Sequence, residues 1–362
     1  MPREGDAGMA KATPKQDLVI AGLRRQIIDR TYPPGSRVPS RKALESVFGA
    51  SLVTVHRALD RLQKEGFLVP RGPRGTFVVD CPPHLCNFGL VFVEKGPGQG
   101  NWSQFHTAIR REAQRIQRQS RYRFIEYYGL GGPDGHDSFQ RLRDDARSRR
   151  LAGILFVLVK PSYFDLTQVG DLPTVAVQEG NAVVRIDLDT TSLLEQMLRH
   201  VKSQGRRRVS FVLTGFPERH DIIEPWLTRL LPQHGLRPEK RWMHCLDARD
   251  PSWAGNLMSL LFDRGHPERP DAIVITDDNL VAATTRALVD LSVRVPEDVT
   301  VVAHANFPWP TPSAVPVKRF GFDIREVLRR SIEVIDAMNR GARVARKIVL
   351  PAVSDNGTGR VR

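Results

Sequence analysis

Apolar residues recur at helical spacing three times between residues 15 and 65, each time with polar residues between them. Spacings of three and four residues place such side chains on one face of a helix. The three predicted apolar faces consist of Ile20, Leu23 and Ile27; of Leu44, Val47 and Phe48; and of Val55, Ala58, Leu59 and Leu62. The pattern therefore predicts three short helices that share one small core.

The residues around the second and third predicted helices favour a tight turn between them. Ser40 and Ser51 each precede a helix, where a serine side chain accepts a hydrogen bond from a free N–H group. Gly49 can end the second helix in a left-handed conformation. Two short helices joined in this way form a helix-turn-helix, whose second helix enters the major groove in DNA-binding proteins. The third helix leaves these side chains outside its buried face: Leu52, Thr54, His56 and Arg57.

Two short strands, predicted over residues 67–69 and 76–79, flank a basic turn. The turn reads Arg71-Gly-Pro-Arg-Gly75 and can follow a phosphate backbone. The stretch therefore predicts a winged helix-turn-helix aimed at double-stranded DNA. The alternative is a small helical subdomain with a solvated basic face. The candidate DNA-binding residues are Ser40, Lys42, Ser51, Leu52, Thr54, His56, Arg57, Arg71, Arg74 and Gly75.

The distribution of charge agrees with a DNA partner. The chain of 362 residues has a net charge of +14. Residues 11–80 contain thirteen basic and six acidic side chains, a net charge of +7. Half of the excess charge thus lies in about a fifth of the chain, as the binding of a polyphosphate requires. No apolar run reaches the roughly 18 residues that span a membrane, so no membrane partner is predicted.

Four motifs between residues 32 and 78 have a specific order and spacing. They are Tyr32-Pro-Pro-Gly-Ser-Arg-Val-Pro-Ser40, Ala50-Ser-Leu-Val-Thr-Val-His-Arg-Ala-Leu59, Glu65-Gly66 and Arg74-Gly-Thr-Phe-Val78. Together they resemble the DNA-binding domain of the GntR family, over about residues 15–79. The resemblance implies a winged helix-turn-helix that binds an operator.

The chain departs from the GntR pattern at three points. Where the family commonly has arginine, this chain has Leu52 and His56, and Arg41-Lys42 stands in place of Glu-Arg. Two guanidinium groups that could read guanine edges are therefore absent from the predicted recognition helix. We expect an operator that differs from the usual half-site of the family.

From residue 88 onward, apolar runs and helical patterns alternate. Strands are predicted over residues 88–93, 122–128, 151–159, 173–178, 208–213, 241–246, 272–276, 299–303 and 347–350. Helices are predicted over residues 102–119, 137–149, 193–203, 222–231, 253–262, 279–291 and 324–339. Such alternation predicts a doubly wound α/β body. The expected divisions are a DNA-binding domain over 1–80, a linker over 81–87, a body over 88–350 and a tail over 351–362.

The linker contains two of the three cysteines, in the sequence Cys81-Pro-Pro-His-Leu-Cys86. Two thiols and an imidazole suggest zinc, but a structural site needs four ligands and no fourth stands nearby, so no metal is predicted. An extended, semi-rigid Pro-Pro linker is favoured instead. So few cysteines argue against a disulfide framework and for a reducing cytoplasm. Residues 1–6 also lack the apolar segment of a secretory signal.

Two motifs in the body carry a second resemblance. They are Arg269-Pro-Asp-Ala-Ile-Val-Ile-Thr-Asp-Asp-Asn-Leu-Val-Ala282 and Val295-Pro-Glu-Asp-Val-Thr-Val-Val302. They resemble the effector-binding domain of lactose-repressor-like regulators, which is similar to periplasmic sugar-binding proteins. The match covers about residues 85–350, and its combination with a GntR-type domain resembles the arabinose-repressor subclass. It implies two lobes, with crossings near residues 180–186, 305–318 and 341–347, and an effector in the cleft between them.

This second resemblance also implies which side chains line the cleft. Each has an alternative structural role, in the core, a turn, a helix cap or a surface ion pair. Where relatives have Phe-Asp-Asp, this chain has His304-Ala305-Asn306, so the aspartate that accepts hydrogen bonds from sugar hydroxyls is absent. The candidate effector-binding residues are Trp102, Ser103, Asp187, Arg219, Asp278 and Asn306.

These features predict a cytoplasmic, homodimeric transcriptional regulator, expected from the family to be a repressor, whose operator affinity responds to a sugar-like small molecule. The alternative is a ligand-independent DNA-binding regulator with a degenerate pocket. An enzyme is not indicated, because no nucleophile–base arrangement is found. The Gly96, Gly98 and Gly100 loop is not a dinucleotide motif, since Asn101 stands where the pattern needs glycine, so no cofactor is predicted.

Overall fold

The computed structural model describes residues 14–99, 102–130, 136–159, 165–178, 182, 184–214, 217–237, 239–250, 252–263, 265–266 and 268–355. Over residues 217–223 it describes the backbone without the side chains. Among the described helices, none combines the length and the apolar character needed to cross a membrane.

The N-terminal domain is a winged helix-turn-helix. Its helices are α1 (Lys15–Ile28), α2 (Arg41–Phe48) and α3 (Leu52–Lys64). Strands β1 (Leu68–Pro70) and β2 (Thr76–Val78) pair in antiparallel fashion around a 3-10 turn, Gly72–Arg74. The three predicted apolar faces form its core, with one exception. Val47 is 68% exposed, because α2 contacts the core through Leu44 and Phe48.

The linker is more structured than the sequence suggested. Helical turn α4 (Pro83–Cys86) occupies most of it, and a disulfide joins Cys81 to Cys86, whose Cα atoms lie 5.9 Å apart. The ring of His84 stacks on Phe67 of the N-terminal domain, with centroids 6.0 Å apart. The prediction of an extended Pro-Pro linker is therefore confirmed at Pro82, which has φ -64° and ψ 154°, and is wrong from Pro83 onward. Pro83 lies at the first position of the turn, where its missing N–H group is not needed.

The first lobe contains one parallel sheet. Its strands are β3 (Asn87–Phe92), β4 (Arg123–Tyr127), β5 (Gly153–Val157), β6 (Thr174–Val177), β7 (Val184–Leu188) and β13 (Lys347–Leu350). They lie in the order β13-β7-β6-β5-β3-β4. The helices that pack against this lobe are α5 (Gln104–Gln119), α6 (His136–Arg147) and α11 (Ile324–Asn339). The central strands β5 and β6 are buried on both faces, as continuous apolar strands require.

The second lobe repeats this architecture. Its strands are β8 (Val209–Thr214), β9 (Met243–Leu246), β10 (Ala272–Ile275), β11 (Thr300–Phe307), β12 (Lys318–Asp323) and β14 (Val353–Ser354). They lie in the order β14-β12-β11-β10-β8-β9, with β14 antiparallel to its neighbour. Its helices are α7 (Thr190–Ser203), α8 (Pro217–Leu230), α9 (Ser252–Leu261) and α10 (Val281–Asp290). The two lobes confirm the predicted doubly wound α/β body.

The chain passes between the lobes later than expected. The first crossing follows β7, which ends at Leu188 in the sheet of the first lobe, because the next helix, α7, packs on the second lobe. β12 ends at Asp323, and α11 then packs on the first lobe. The last passage lies between β13 and β14. The expected crossings near residues 180–186, 305–318 and 341–347 therefore come too early. Each is followed by one more strand of the same sheet, β7, β12 or β13, before the chain leaves the lobe.

Three strands are absent from the predicted alternation, namely β7, β12 and β14. β7 alternates polar and apolar residues because one of its faces carries Arg185 and Asp187. β12 has the mixed sequence Lys-Arg-Phe-Gly-Phe-Asp. Both β7 and β12 are second from the edge of their sheets, where a continuous apolar run is not needed. β14 shows that residues 353–355, expected in the tail, belong to the body.

Candidate nucleic-acid interface and interlobe site

The turn between α2 and α3 is held by the predicted caps. Ser40 Oγ accepts a hydrogen bond from the Ala43 N–H group at 3.3 Å, and Ser51 Oγ accepts one from Thr54 N–H at 3.3 Å. Gly49 has φ 57° and ψ 34°, the left-handed conformation that reverses the chain between the helices. The local sequence therefore determines how α3 is presented.

The first two turns of α3 expose the side chains that the sequence assigned to DNA. Leu52 is 49% exposed, His56 and Arg57 are exposed, and Thr54 is half-buried. His56 Nε2 lies 3.5 Å from an Asp60 carboxylate oxygen on the next turn. This surface combines one cation, one imidazole and an apolar end, without the arginines that the GntR pattern carries at two of these positions.

The wing presents two arginines in different ways. Arg71 lies over the ring of Phe77, with 4.7 Å from its guanidinium carbon to the ring centroid, and 3.9 Å from Asp80. Arg74 is exposed at the end of the 3-10 turn. Gly75 has φ 100°, and a Cβ atom there would lie 2.9 Å from the Arg37 guanidinium. Glycine therefore allows the wing to close tightly behind Arg74.

One buried carboxylate joins the N-terminal domain to the first lobe. Glu65, at the end of α3, has a side chain only 8% exposed. Its Oε2 lies 2.5 Å from Arg24 Nη2 on α1, and its Oε1 lies 3.2 Å from Arg61 Nε and 3.9 Å from Arg150 Nη1 of the first lobe. Three cations thus share one carboxylate at the junction.

The ion pairs continue into the first lobe. Arg150 Nη2 lies 2.8 Å from Asp145 Oδ1, and the Tyr127 hydroxyl donates to Asp145 Oδ2 at 2.5 Å. Burial and the Asp145 carboxylate raise the pKa of Tyr127 above its usual range, so this hydroxyl remains a donor. The pKa of His84 is lowered to about 4, mainly by burial and to a smaller extent by the positive charges of Arg30 and Arg149. The junction therefore contains a neutral imidazole in addition to the ion pairs of Glu65 and Asp145.

Polar side chains gather at the carboxyl ends of strands in the second lobe. Asp277 and Asp278 follow β10, and Asn306 lies near the end of β11. The Asn306 amide donates to Asp278 Oδ2 at 2.6 Å, and the Thr214 hydroxyl donates to Asp277 Oδ2 at 2.8 Å. Open α/β sheets place ligands at this edge.

Asn279 connects this cluster to the first lobe. Its side-chain amide donates to Asp277 Oδ1 at 2.6 Å, while its Oδ1 accepts the Gln104 N–H group at 2.9 Å. Gln104 is the first residue of α5, directly after Ser103. The candidates Ser103, Asp278 and Asn306 are therefore brought to the same interlobe region from positions up to about 200 residues apart.

Asp278 is a carboxylate without a cationic partner among the described residues. Its side chain is 3% exposed, and His304 Nδ1 lies 3.9 Å away. Burial, followed by the neighbouring Asp277 carboxylate, raises the pKa of Asp278 to about 7, although the Asn306 amide opposes this. Burial also lowers the pKa of His304, which keeps that imidazole neutral. The Asn306 Oδ1 atom is buried without a described donor.

Aromatic rings border the interlobe region on the side of the first lobe. Trp102 is half-buried, and its ring lies 5.0 Å from Phe92, 5.1 Å from His106 and 5.8 Å from Tyr128, centroid to centroid. Its indole N–H donates to Thr107 Oγ1 at 2.9 Å. Trp102 therefore packs partly in the core and partly offers a surface.

Ser103 caps α5 together with a histidine. Ser103 Oγ accepts the His106 N–H group at 3.2 Å, and the Ser103 N–H group donates to His106 Nδ1 at 3.4 Å. Burial lowers the pKa of His106 to about 4, so the ring stays neutral. Because Nδ1 accepts, the ring proton is assigned to Nε2, which has no described partner.

Two candidates from the sequence do not join this cluster. Asp187 lies on β7 and forms ion pairs with Arg185 at 2.7 Å and with Lys347 of the neighbouring strand at 3.1 Å. Arg219 lies on α8, but its side chain is outside the described residues.

Four residues of this region were not predicted as site residues: His106, Asp277, Asn279 and His304. A signal for two of them was present, since Asp-Asp-Asn directly follows a buried strand. His106 and His304 carry no such signal, because a lone histidine on a helix or strand is more often a core residue.

Comparisons with known proteins agree with both parts of the fold. Residues 15–78 match the bacterial regulatory proteins of the gntR family, and residues 198–355 match the periplasmic binding protein-like domain. The regulator Rv0792c of Mycobacterium tuberculosis is 41% identical over 69 residues, 19% of this chain and 26% of its own length. GmuR of Bacillus subtilis is 32% identical over 65 residues, 18% of this chain and 27% of its length. The chain thus spans about a quarter of the length of these curated relatives.

Solved structures resemble a larger part of the chain. The regulator CelR in complex with cellobiose has a TM-score of 0.57 at 17% identity, over 88% of this chain and 98% of its own. A LacI-family regulator from Arthrobacter sp. FB24 in complex with lactose has a TM-score of 0.57 at 18% identity, over 74% of this chain and 97% of its own. At these identities the likeness concerns the fold. The chain therefore combines a segment that matches the gntR family with a segment that matches the periplasmic binding protein-like domain, and its fold resembles those of the solved regulators.

Proposed function

We propose that this chain is a transcriptional regulator that represses by binding operator DNA and responds to a small molecule held between its lobes. The observation that carries the DNA-binding part is the capped helix α3, which exposes its first turns beside a basic wing in a domain of strong positive charge. Phosphate contacts from Arg71 and Arg74 would position the domain, while α3 reads base edges.

The ligand part of the proposal depends on the interlobe cluster. Carboxylate and amide groups beside aromatic rings suit a hydroxyl-rich molecule that stacks on one face. The regulators of similar fold that were solved with cellobiose and lactose support a sugar-like ligand. The proposed contacts are Trp102, Ser103, Asp278 and Asn306, with Arg219 as a further candidate from the second lobe.

The protein would act as a cytoplasmic homodimer. One winged helix offers few base-reading groups, so useful affinity requires two on a two-fold-related site. Closure of the lobes on a ligand would move the first lobe, and the ion pairs of Glu65 with Arg24 and Arg150 would carry that movement to the DNA-binding domain. The coupling would change ligand and operator affinity reciprocally, by roughly 1–3 kcal/mol.

Selection of full-length protein against random duplex DNA tests this function. We expect an enriched duplex that binds more tightly than random DNA, and one of cellobiose, lactose or glucose should weaken that binding. Arg74→Ala should weaken selected and random duplexes alike and lower the salt slope by about 1, whereas His56→Ala should chiefly reduce discrimination between them.

Two outcomes would contradict the proposal. Failure to enrich any duplex would refute DNA regulation itself. Sequence-specific binding by a protein whose melting temperature and operator affinity respond to no metabolite in a broad panel would identify a ligand-independent regulator instead.

A further inference from the structure

The beginning of the recognition helix exposes apolar side chains. Leu52 and Val53 are the first two residues of α3, and they are 49% and 60% exposed. The other apolar side chains of this helix are at most 2% exposed: Val55, Ala58, Leu59 and Leu62. The core of the domain is thus complete without Leu52 and Val53.

Two polar side chains of the same turns, Thr54 and His56, have other partners. The Thr54 hydroxyl lies 2.9 Å from Ser51 Oγ, and Thr54 N–H donates to the same oxygen, so both groups serve the helix cap. His56 faces Asp60 at 3.5 Å. The surface that α3 offers at its N-terminal end is therefore mainly aliphatic, where the GntR pattern offers a guanidinium at the position of Leu52.

A major groove presents one aliphatic group that distinguishes a base, the C5 methyl of thymine. The domain that carries this aliphatic end is strongly basic, with a net charge of +7 over residues 11–80, and its helices α2 and α3 expose the cations Arg41, Lys42 and Arg57. This charge favours a polyanion over a protein as the occupant. We propose that Leu52 and Val53 read thymine methyl groups, so that each operator half-site contains thymines opposite the start of α3. This inference rests on the proposed DNA-binding function.

The experiment uses the duplex selected by the full-length protein. Each thymine is replaced in turn by deoxyuridine, which removes only the C5 methyl and leaves base pairing intact. Burial of one methyl group is worth about a three- to five-fold change in affinity. We expect a loss of this size at one or two thymines in each half-site, and almost none at the other thymines.

Matched variants connect the loss to these two side chains. Leu52→Ala and Val53→Ala should bind the thymine duplex more weakly and should no longer distinguish it from the deoxyuridine duplex at those positions. Leu18→Ala serves as the control, because Leu18 is equally exposed, at 55%, but lies on α1. Leu18→Ala should lose as much affinity as the wild type when thymine is replaced by deoxyuridine. Since all three side chains are exposed, the variants should retain the wild-type melting temperature.

The possible outcomes separate this inference from the proposed function. Tight, sequence-specific binding that is insensitive to deoxyuridine at every position would overturn the thymine assignment and leave DNA regulation intact. Sensitivity that persists unchanged in the Leu52→Ala, Val53→Ala double variant would also overturn it. Failure to select any duplex would refute both.

Discussion

Glu65 and Asp278 are both buried carboxylates, but their surroundings differ. Glu65, where the DNA-binding domain meets the first lobe, has Arg24, Arg61 and Arg150 around it. Asp278, in the interlobe region, has the Asn306 amide, a neutral His304 and the Asp277 carboxylate.

The difference indicates separate roles for the two groups. A charge compensated by several cations stabilises the arrangement of the elements that carry those cations. Burial of a carboxylate beside an amide alone costs free energy in its ionised form, and a carboxyl group of strongly raised pKa between two lobes is a candidate functional group. We therefore interpret Glu65 as a structural group of the junction and Asp278 as a group prepared for a ligand.

The pH dependence of stability gives the largest expected effect. The folded pKa of Asp278, about 7, lies above its ordinary value of 3.8, so the folded state binds the proton more tightly. The contribution of this group to stability is therefore full below about pH 4 and is lost as the pH rises through 7, by up to about 4 kcal/mol. Asp278→Asn should remove this slope and should be more stable than wild type at pH 8.

Urea unfolding between pH 4 and pH 8 measures this effect. Asp290→Asn is the matched control on the same lobe, because Asp290 is an exposed partner of Arg286. If Asp278→Asn and Asp290→Asn show the same slope as wild type, Asp278 is not a carboxyl of raised pKa, and the comparison with Glu65 fails.

Removal of the shared carboxylate at the junction should have the second largest effect. Glu65→Ala leaves Arg24, whose side chain is 13% exposed, without its partner at 2.5 Å. Because Arg61 and Arg150 are more exposed, we expect a loss of about 2–3 kcal/mol, somewhat less than for a fully buried pair. Urea unfolding at pH 7 measures the change.

Glu333→Ala provides the control for Glu65→Ala. Glu333 also contacts two arginines, Arg329 and Arg330, but its side chain is 45% exposed, so its loss should cost at most about 1 kcal/mol. Equal losses for the two variants would mean that the junction is no more than a solvated surface network.

The smallest effect concerns the caps of the DNA-binding domain. Ser51→Ala removes the acceptor for Thr54 N–H and should destabilise α3 by about 1 kcal/mol. Ser51→Asp, which can still cap, should lose much less. Hydrogen exchange of the α3 amides measures both, and equal protection in wild type and Ser51→Ala would show that packing alone holds the start of the helix.

Much of the DNA-binding domain could be predicted because its determinants are local. The caps of α2 and α3 connect residues three positions apart, and Gly49 acts on its own backbone. The apolar spacing of α3 selects its buried face without reference to any distant residue. The prediction erred where packing intervened, at Val47 and at Pro83, since only the folded domain shows which apolar surface has room in its core.

A winged helix-turn-helix followed by alternating strands and helices could be predicted from local patterns, because periodicity and capping act over a few residues. The polar groups that meet in the folded protein could not be predicted in this way. Asn306 reaches Asp278 across 28 positions, and Asn279 reaches Gln104 across 175. Such contacts depend on the strand order of two sheets and on where the chain crosses between them. Neither the strand order nor the crossing points leave a trace in local periodicity, which is why the Asn279–Gln104 contact and the Glu65–Arg150 junction emerged only in the folded molecule.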